Sequence, residues 1–171
     1  MASAGSSPDG QHYVLFDGFI NIGGTRNWRN NNPGNMEAGD FANAHGAIGS
    51  DGRFAIFPDM ATGVKALSTL LVSGSYRNLS MQQAMIRYAP PNENDTSAYI
   101  SFVSTRVGVD PSTLMSALTG DQLSSFVQAI YHYEGGTPGT TFQAGNTAAP
   151  QWALNLFESL GSGEQNPAVS A

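Results

Sequence analysis

Paired helix-start signals constrain the fold of this chain more than any other feature. Ser80 with Gln83, and Thr119 with Gln122, form two capping boxes. In a capping box the two side chains satisfy backbone N–H groups that a helix start leaves free. N-cap residues or a first-turn proline mark further predicted helix starts at Asp59, at Asp95 or Thr96, at Asp110-Pro111 and at Pro150.

Apolar spacing supports these helices. Met60, Val64, Leu67 and Leu71 recur at helical intervals, and "GRFAIFP" alternates as one short strand of a small hairpin region. "HYVLFDGFINI" is typical of a strand or an ordered arm. The predicted class is α+β, mainly α, with a small β-hairpin lobe. We expect a disordered segment at 1–10, a single domain at 11–160 and a flexible tail at 161–171.

Composition excludes several function classes. Only 12% of the residues are charged, the net charge is −6, and the seven Lys and Arg residues are scattered. This distribution argues against binding nucleic acid or anionic lipid and favours a neutral or cationic partner, for example an uncharged sugar. With no cysteine there can be neither a catalytic thiol nor a disulfide.

Targeting signals are also missing from the sequence. "MASAGSSPDG" has neither a basic nor an apolar signal region, so we expect export by a route other than general secretion. No apolar run approaches the ~18 residues of a membrane span. The three histidines lack zinc spacing and no phosphate-binding loop is present, so we expect neither a cofactor nor a metal.

Carboxylates are therefore the main candidates for catalysis. Glu134 continues the apolar stripe of Leu123, Val127 and Ile130 and is followed by Gly-Gly. A partly desolvated Glu at that point suits a general acid, although an exposed Glu in a fraying helix end is an equally good interpretation.

Three other acidic residues compete with Glu134. Glu37 follows the turn "RNNNPGN" and has small neighbours, which leave room for a substrate; a solvated loop Glu is the alternative. Glu93 lies between two predicted helices, where ordering of the loop is a stronger interpretation than catalysis. Asp51 most simply forms a turn, and Tyr99 is either a sugar-binding ring or a core aromatic residue.

The segment "RNNNPGNMEAGDFANAHGAIGSDGRFAIFPDMATGVKALSTLL" resembles phage virion-associated and interbacterial-toxin peptidoglycan hydrolases of the lysozyme-like superfamily. The order of Asn-Asn turn, hairpin, aromatic-Pro strand end and amphipathic helix is also similar to bacterial N-acetylglucosaminidases. "RYAPPNENDTSAYISFVSTRVGV" extends the resemblance, which covers residues 26 to about 136.

The resemblance implies a lysozyme-like domain that hydrolyses the β-1,4 backbone of peptidoglycan, with an N-acetylglucosaminidase favoured over a muramidase. It also implies an antibacterial effector of the type VI secretion system that reaches the periplasm of a target cell. Such toxins normally meet a periplasmic immunity protein that blocks the cleft. The alternatives are a lytic transglycosylase and a glycan-binding or virion structural module without catalysis.

The chain departs from the glucosaminidases at one point: their acid Glu precedes the Asn-Asn turn, and here no Glu precedes residue 37. Glu37 would then be the acid, or Glu134 would fill the vacant place and Glu37 would be the second carboxylate. Asn31, Asn32 and Asn35 would hold the turn at the cleft floor and bind N-acetyl or hydroxyl groups. Asp51 and Tyr99 complete the predicted substrate-binding set.

Overall fold

The computed structural model describes residues 1–91 and 95–161. The fold is α+β and mainly helical, as the capping signals predicted. Helices in these described residues number seven. They are α1 (Arg26–Arg29), α2 (Asp40–Ala44), α3 (Met60–Leu71), α4 (Met81–Tyr88), α5 (Thr96–Val107), α6 (Gly120–Tyr133) and α7 (Gln151–Gly161).

Two antiparallel sheets accompany the helices. The larger one has the strand order β1-β2-β3-β6, and the smaller one is the hairpin β4-β5. "GRFAIFP" contributes only a two-residue strand to that hairpin. The strands are β1 (Ala2–Ser6), β2 (His12–Phe16), β3 (Phe19–Ile22), β4 (Gly49–Ser50), β5 (Ala55–Ile56) and β6 (Thr140–Gln143).

The predicted helix starts are confirmed at five places. Both capping boxes form, with Ser80 accepting from the Gln83 N–H and Thr119 from the Gln122 N–H. Asp59 caps α3 through the Thr62 N–H, Asp95 caps α5 through Ala98, and α7 follows Pro150. These local bonds fix where each helix begins, and the apolar faces of α3 to α6 then share one core that includes Leu67, Tyr99, Val103, Phe126 and Ile130.

The prediction that residues 1–10 are disordered is wrong. β1 pairs along its whole length with β2, from Ala2 opposite Phe16 to Ser6 opposite His12. The sequence does not indicate this strand, because its residues are small and backbone hydrogen bonds to β2 stabilise it in place of an apolar side-chain pattern. Gly5 is required there, since a Cβ at this position would lie 2.5 Å from the hydroxyl of Tyr13.

One further expectation needs correction. Asp110-Pro111 opens no α-helix: Asp110 accepts from the Ser112 N–H in a local turn, and only a short 3-10 helix, Met115–Ala117, follows. The Gly/Thr-rich stretch after α6 contains β6, which pairs with β3 at the edge of the larger sheet.

The tail at 162–171 lies outside the described residues. Within the described ranges, none of the helices has the length and apolar character needed to span a bilayer.

Candidate active site

A cleft of about 520 Å³ opens where the Asn-rich turn, the hairpin and the C-terminal ends of α4 and α6 meet. Both carboxylates favoured by the sequence, Glu37 and Glu134, line it. Its other lining residues include aromatic rings and two cations. They are Gly34, Asn35, Met36, Phe41, Arg53, Phe54, Leu70, Tyr76, Arg87, Tyr88, Ala89 and Pro90.

Glu134 is the C-cap residue of α6 and is half-buried. Val127 and Ile130, on the same helix face, are completely buried, so the helix carries Glu134 from the core to the cleft. Gly135 follows with a φ of 96°, a left-handed conformation that ends the helix and that glycine adopts without strain. The apolar stripe and the Gly-Gly signal therefore predicted the position of this side chain correctly.

Two hydrogen bonds orient the Glu134 carboxylate. The Asn35 amide, through Nδ2, donates to Oε2 at 3.0 Å, and the Tyr99 hydroxyl donates to Oε1 at 3.0 Å. Burial first, and then the negative charge of Glu134, raise the pKa of the Tyr99 hydroxyl, which therefore stays protonated as a donor. The two hydrogen bonds together fix the orientation of the Glu134 carboxyl group.

The oxygen of the Asn35 amide, Oδ1, differs from Nδ2 in having no hydrogen-bond partner within the described residues. Asn35 Oδ1 is also buried. The Asn35 amide therefore contacts Glu134 through its Nδ2 donor alone.

Tyr99 is fully buried and stacks on Tyr133 with ring centroids 3.8 Å apart. It was predicted as a substrate-binding ring, but a side chain without exposed surface cannot present a face to a sugar. The structure places it behind Glu134, as a residue that positions the carboxylate.

Asn31 and Asn32 lie inside the turn and contact the protein's own backbone. Asn31 donates to the Phe57 carbonyl at 3.1 Å. Asn32 donates to the carbonyls of Met36 and Ala55, both at 2.9 Å, and accepts from the Met36 N–H at 2.8 Å. Both are buried, so their predicted part in the site is limited to holding the turn against the hairpin.

The turn reaches Glu134 because of close packing at Gly34. A Cβ at Gly34 would lie 2.1 Å from the Tyr88 hydroxyl, and that hydroxyl donates to the Gly34 carbonyl. Asn35 then adopts a φ of 49°, which Asn tolerates better than most residues. The contact between Gly34 and Tyr88 thus positions the turn so that the Asn35 amide reaches the C-terminal end of α6.

Glu37 lies at the exposed edge of the cleft. Its carboxylate accepts from Arg53 Nε at 3.1 Å and forms an ion pair with Arg53 Nη2 at 3.1 Å. The Glu37 side chain is 67% exposed. Glu37 and Glu134 thus share one cleft in different surroundings, one solvated and ion-paired, the other half-buried.

Asp51 lies outside this cleft. Its carboxylate accepts from the Asn30 amide at 2.9 Å and from the backbone N–H groups of Arg53 and Phe54, and it pairs with Arg26. Burial acts to raise the pKa of Asp51, but these hydrogen bonds and the charge of Arg26 together lower it below the usual value. The turn interpretation of Asp51 is confirmed. Glu93 lies outside the described residues.

Sequence reasoning missed Asn27, which is fully buried. Its amide donates to the Tyr131 carbonyl at 3.1 Å and to the Pro33 carbonyl at 3.3 Å. Asn27 therefore connects the Asn-rich segment to the C-terminal end of α6. The sequence offered one signal for this role: Asn27 is a further carboxamide, three residues before the Asn-rich turn begins at Asn30. In residues 1–91 and 95–161, no group of three or more His, Asp or Glu is arranged to hold a metal ion.

Removing the Tyr99 hydroxyl should impair Glu134 without disturbing the core. We expect Tyr99→Phe to lower the rate of any Glu134-dependent reaction up to about 10-fold, because a hydrogen bond of about 0.5–1.5 kcal/mol that orients the Glu134 carboxyl group is lost. Tyr133→Phe is the matched control, since among the described residues its hydroxyl makes one long hydrogen bond, of 3.4 Å, to the Asp95 carbonyl. Equal rates for the two variants, at equal Tm, would contradict this role.

Comparison with known proteins gives one informative match. The chain is 28% identical over 123 residues to "Protein P5" of Pseudoalteromonas phage PM2, covering 68% of this chain and 75% of that protein. No protein-family model matches the sequence. The match is a similarity to a phage protein whose name states no activity.

Proposed function

We propose that the protein is a peptidoglycan glycoside hydrolase in which Glu134 is the general acid. The observation that carries the proposal is the placement of Glu134 at the cleft, half-buried at a helix end, with Asn35 and Tyr99 bonded to its two oxygens. General acid catalysis needs a carboxyl group that is held within reach of the leaving oxygen. The hydrogen bonds from Asn35 and Tyr99 hold the Glu134 carboxyl group in a fixed position at the cleft.

Glu37 is the second carboxylate of the proposed reaction. Exposed at the cleft edge and held by Arg53, it would serve as the base or the nucleophile. The distance between the Glu37 and Glu134 carboxyl groups in the complex with substrate would determine the stereochemistry. A distance of about 5–5.5 Å is typical of retention of configuration, and one of about 6.5–9.5 Å is typical of inversion. N-acetylglucosaminidase activity remains favoured over muramidase activity by the resemblance of residues 26 to 136.

A lytic transglycosylase is the second candidate, and one observation favours it. Of the two described carboxylates in the cleft, only Glu134 is half-buried and held by neutral donors. A reaction that needs one carboxyl and no water would use Glu134 alone. Glu37→Gln separates the two: we expect it to lower the turnover of a hydrolase by roughly 100-fold or more, whereas a transglycosylase should keep most of its rate.

Release of soluble fragments from purified sacculi tests the proposal itself. We expect wild-type protein to release glycan fragments at a rate that depends on Glu134. Binding to sacculi without any release would contradict catalysis and would establish the glycan-binding or virion module.

The biological setting belongs to the same proposal. Delivery by type VI secretion to the periplasm of a target bacterium, and a periplasmic immunity partner that fills the cleft, follow from the resemblance to toxins. The similarity to a phage protein favours a phage origin instead. Protection of a target cell by a periplasmic protein encoded beside the gene would distinguish the toxin from the phage enzyme.

A further inference from the structure

A second pocket, of about 230 Å³, has Arg26, Arg29, His12 and Asp51 among its lining residues. Phe54, which lines the cleft, lies close to this pocket: the guanidinium of Arg26 is 5.1 Å from its ring centroid, and that of the cleft residue Arg53 is 4.9 Å from it. A substituent on a substrate in the cleft would pass Phe54 to reach the second pocket.

Positive charge is concentrated along this path. Four of the seven Lys and Arg residues of a chain with net charge −6 line the cleft or the second pocket. In the cleft, two cations, Arg53 and Arg87, face two carboxylates, Glu37 and Glu134. In the second pocket, two arginines face the single carboxylate of Asp51, which leaves one positive charge in excess.

Asp51 has little capacity left to neutralise that excess. Its two oxygens accept from the Asn30 amide, from two backbone N–H groups and from Arg26. A carboxylate offers about four lone-pair sites, so these contacts occupy them. Within the described residues, Arg29 therefore forms no ion pair.

Arg29 is half-buried and held in place by one end only. Its Nη1 donates to the carbonyls of Gly23 at 3.0 Å and Gly24 at 2.5 Å, and within the described ranges Nη2 and Nε make no hydrogen bond. Burial first, and then the charge of Arg26, lower the pKa of Arg29. Arg26 and Arg29 together carry one more positive charge than Asp51 neutralises, and a guanidinium binds carboxylates in a fixed two-point geometry.

We propose that the pocket of Arg26 and Arg29 is a subsite for a carboxylate carried by the glycan substrate, such as a free carboxylate of the peptide substituents on a peptidoglycan strand. This inference rests on the proposed function, since the cleft must hold the strand for its substituent to reach the arginines. It makes the preferred substrate a peptide-bearing strand, not a neutral amino-sugar polymer.

Binding to matched glycans tests the subsite separately from catalysis. Full-length Glu134→Gln protein is titrated with soluble peptide-bearing strands and with the same strands after an amidase has removed the peptides. We expect peptide-bearing strands to bind about 10-fold more tightly, which corresponds to one charge-assisted contact of about 1.4 kcal/mol. Adding Arg29→Gln should bring the ratio of the two affinities close to 1.

Three variants keep this result interpretable. Arg29→Lys retains the charge and should keep part of the preference, and Arg26→Gln should reduce it without touching the Gly23 and Gly24 contacts. Arg106→Gln is the matched control, because Arg106 also stacks on an aromatic ring, Phe102, but lines neither cavity. It should leave the ratio as in the parent protein.

Each outcome decides the proposal. Equal binding of both strands by the parent protein overturns the subsite, even if wild-type protein cleaves sacculi. A preference that depends on Arg29 supports it, even if wild-type protein releases no fragments from sacculi, in which case the proposed hydrolase function fails instead. Stabilisation by inorganic phosphate through Arg29, with no preference between strands, would assign the pocket to a free oxyanion and contradict a substrate source.

Discussion

Glu134→Gln should abolish glycan cleavage while leaving the fold intact. Gln has the shape of Glu and can still contact Asn35 and Tyr99, but it cannot donate a proton to a leaving oxygen. Loss of general acid catalysis costs roughly 10²–10⁴-fold in rate. We therefore expect fragment release from sacculi to fall by at least about 100-fold, with Tm within a few degrees of wild type.

The control for that experiment is Glu158→Gln. Glu158 is exposed on α7, away from the residues that line the cleft, and the substitution makes the same change of charge. Its rate should match that of wild type. If Glu134→Gln and Glu158→Gln release fragments equally fast, Glu134 is not the acid and the catalytic assignment fails.

Asn32→Ala should give the largest loss of stability among the turn residues. The substitution removes three hydrogen bonds, and the buried Met36 N–H loses the side-chain oxygen that it bonds at 2.8 Å. A buried donor left unsatisfied costs about 1–3 kcal/mol, and the two bonds to carbonyls contribute about 0.5–1.5 kcal/mol each. We expect the free energy of unfolding to fall by about 3 kcal/mol and Tm by about 10 °C.

Thermal unfolding followed by circular dichroism measures this loss, with Asn43→Ala as the control. Asn43 is exposed on α2, so we expect the Tm of the Asn43→Ala protein to differ from that of wild type by at most about 2 °C. An Asn32→Ala protein as stable as Asn43→Ala would contradict a structural role and would restore Asn32 as a candidate for substrate binding.

The helices were predictable because local chemistry determines their ends. Capping residues such as Ser80 and Thr119 act within four residues of themselves, so the sequence near them contains the whole signal. β1 could not be predicted in the same way, since its pairing with β2 depends on backbone groups and on a glycine that makes room for Tyr13.

The candidate site was predictable in part. Helical spacing placed Glu134 on the core face of α6, and the Gly-Gly signal placed it at the end. Its partners were not predictable, because Asn35 lies 99 residues and Tyr99 35 residues away along the chain. Carboxamides in the turn indicated hydrogen bonding, but only the three-dimensional structure shows that Asn32 bonds to backbone whereas Asn35 bonds to Glu134.

The mass of the fragments that wild-type protein releases from sacculi is the most direct test of the central claim. The account predicts fragments with a reducing sugar end, which appear with wild-type protein and Glu158→Gln and are missing with Glu134→Gln. A reducing N-acetylglucosamine end would identify the favoured bond. Anhydro-sugar ends would replace the hydrolase by a transglycosylase, and the absence of fragments from wild-type protein that binds sacculi would contradict catalysis altogether.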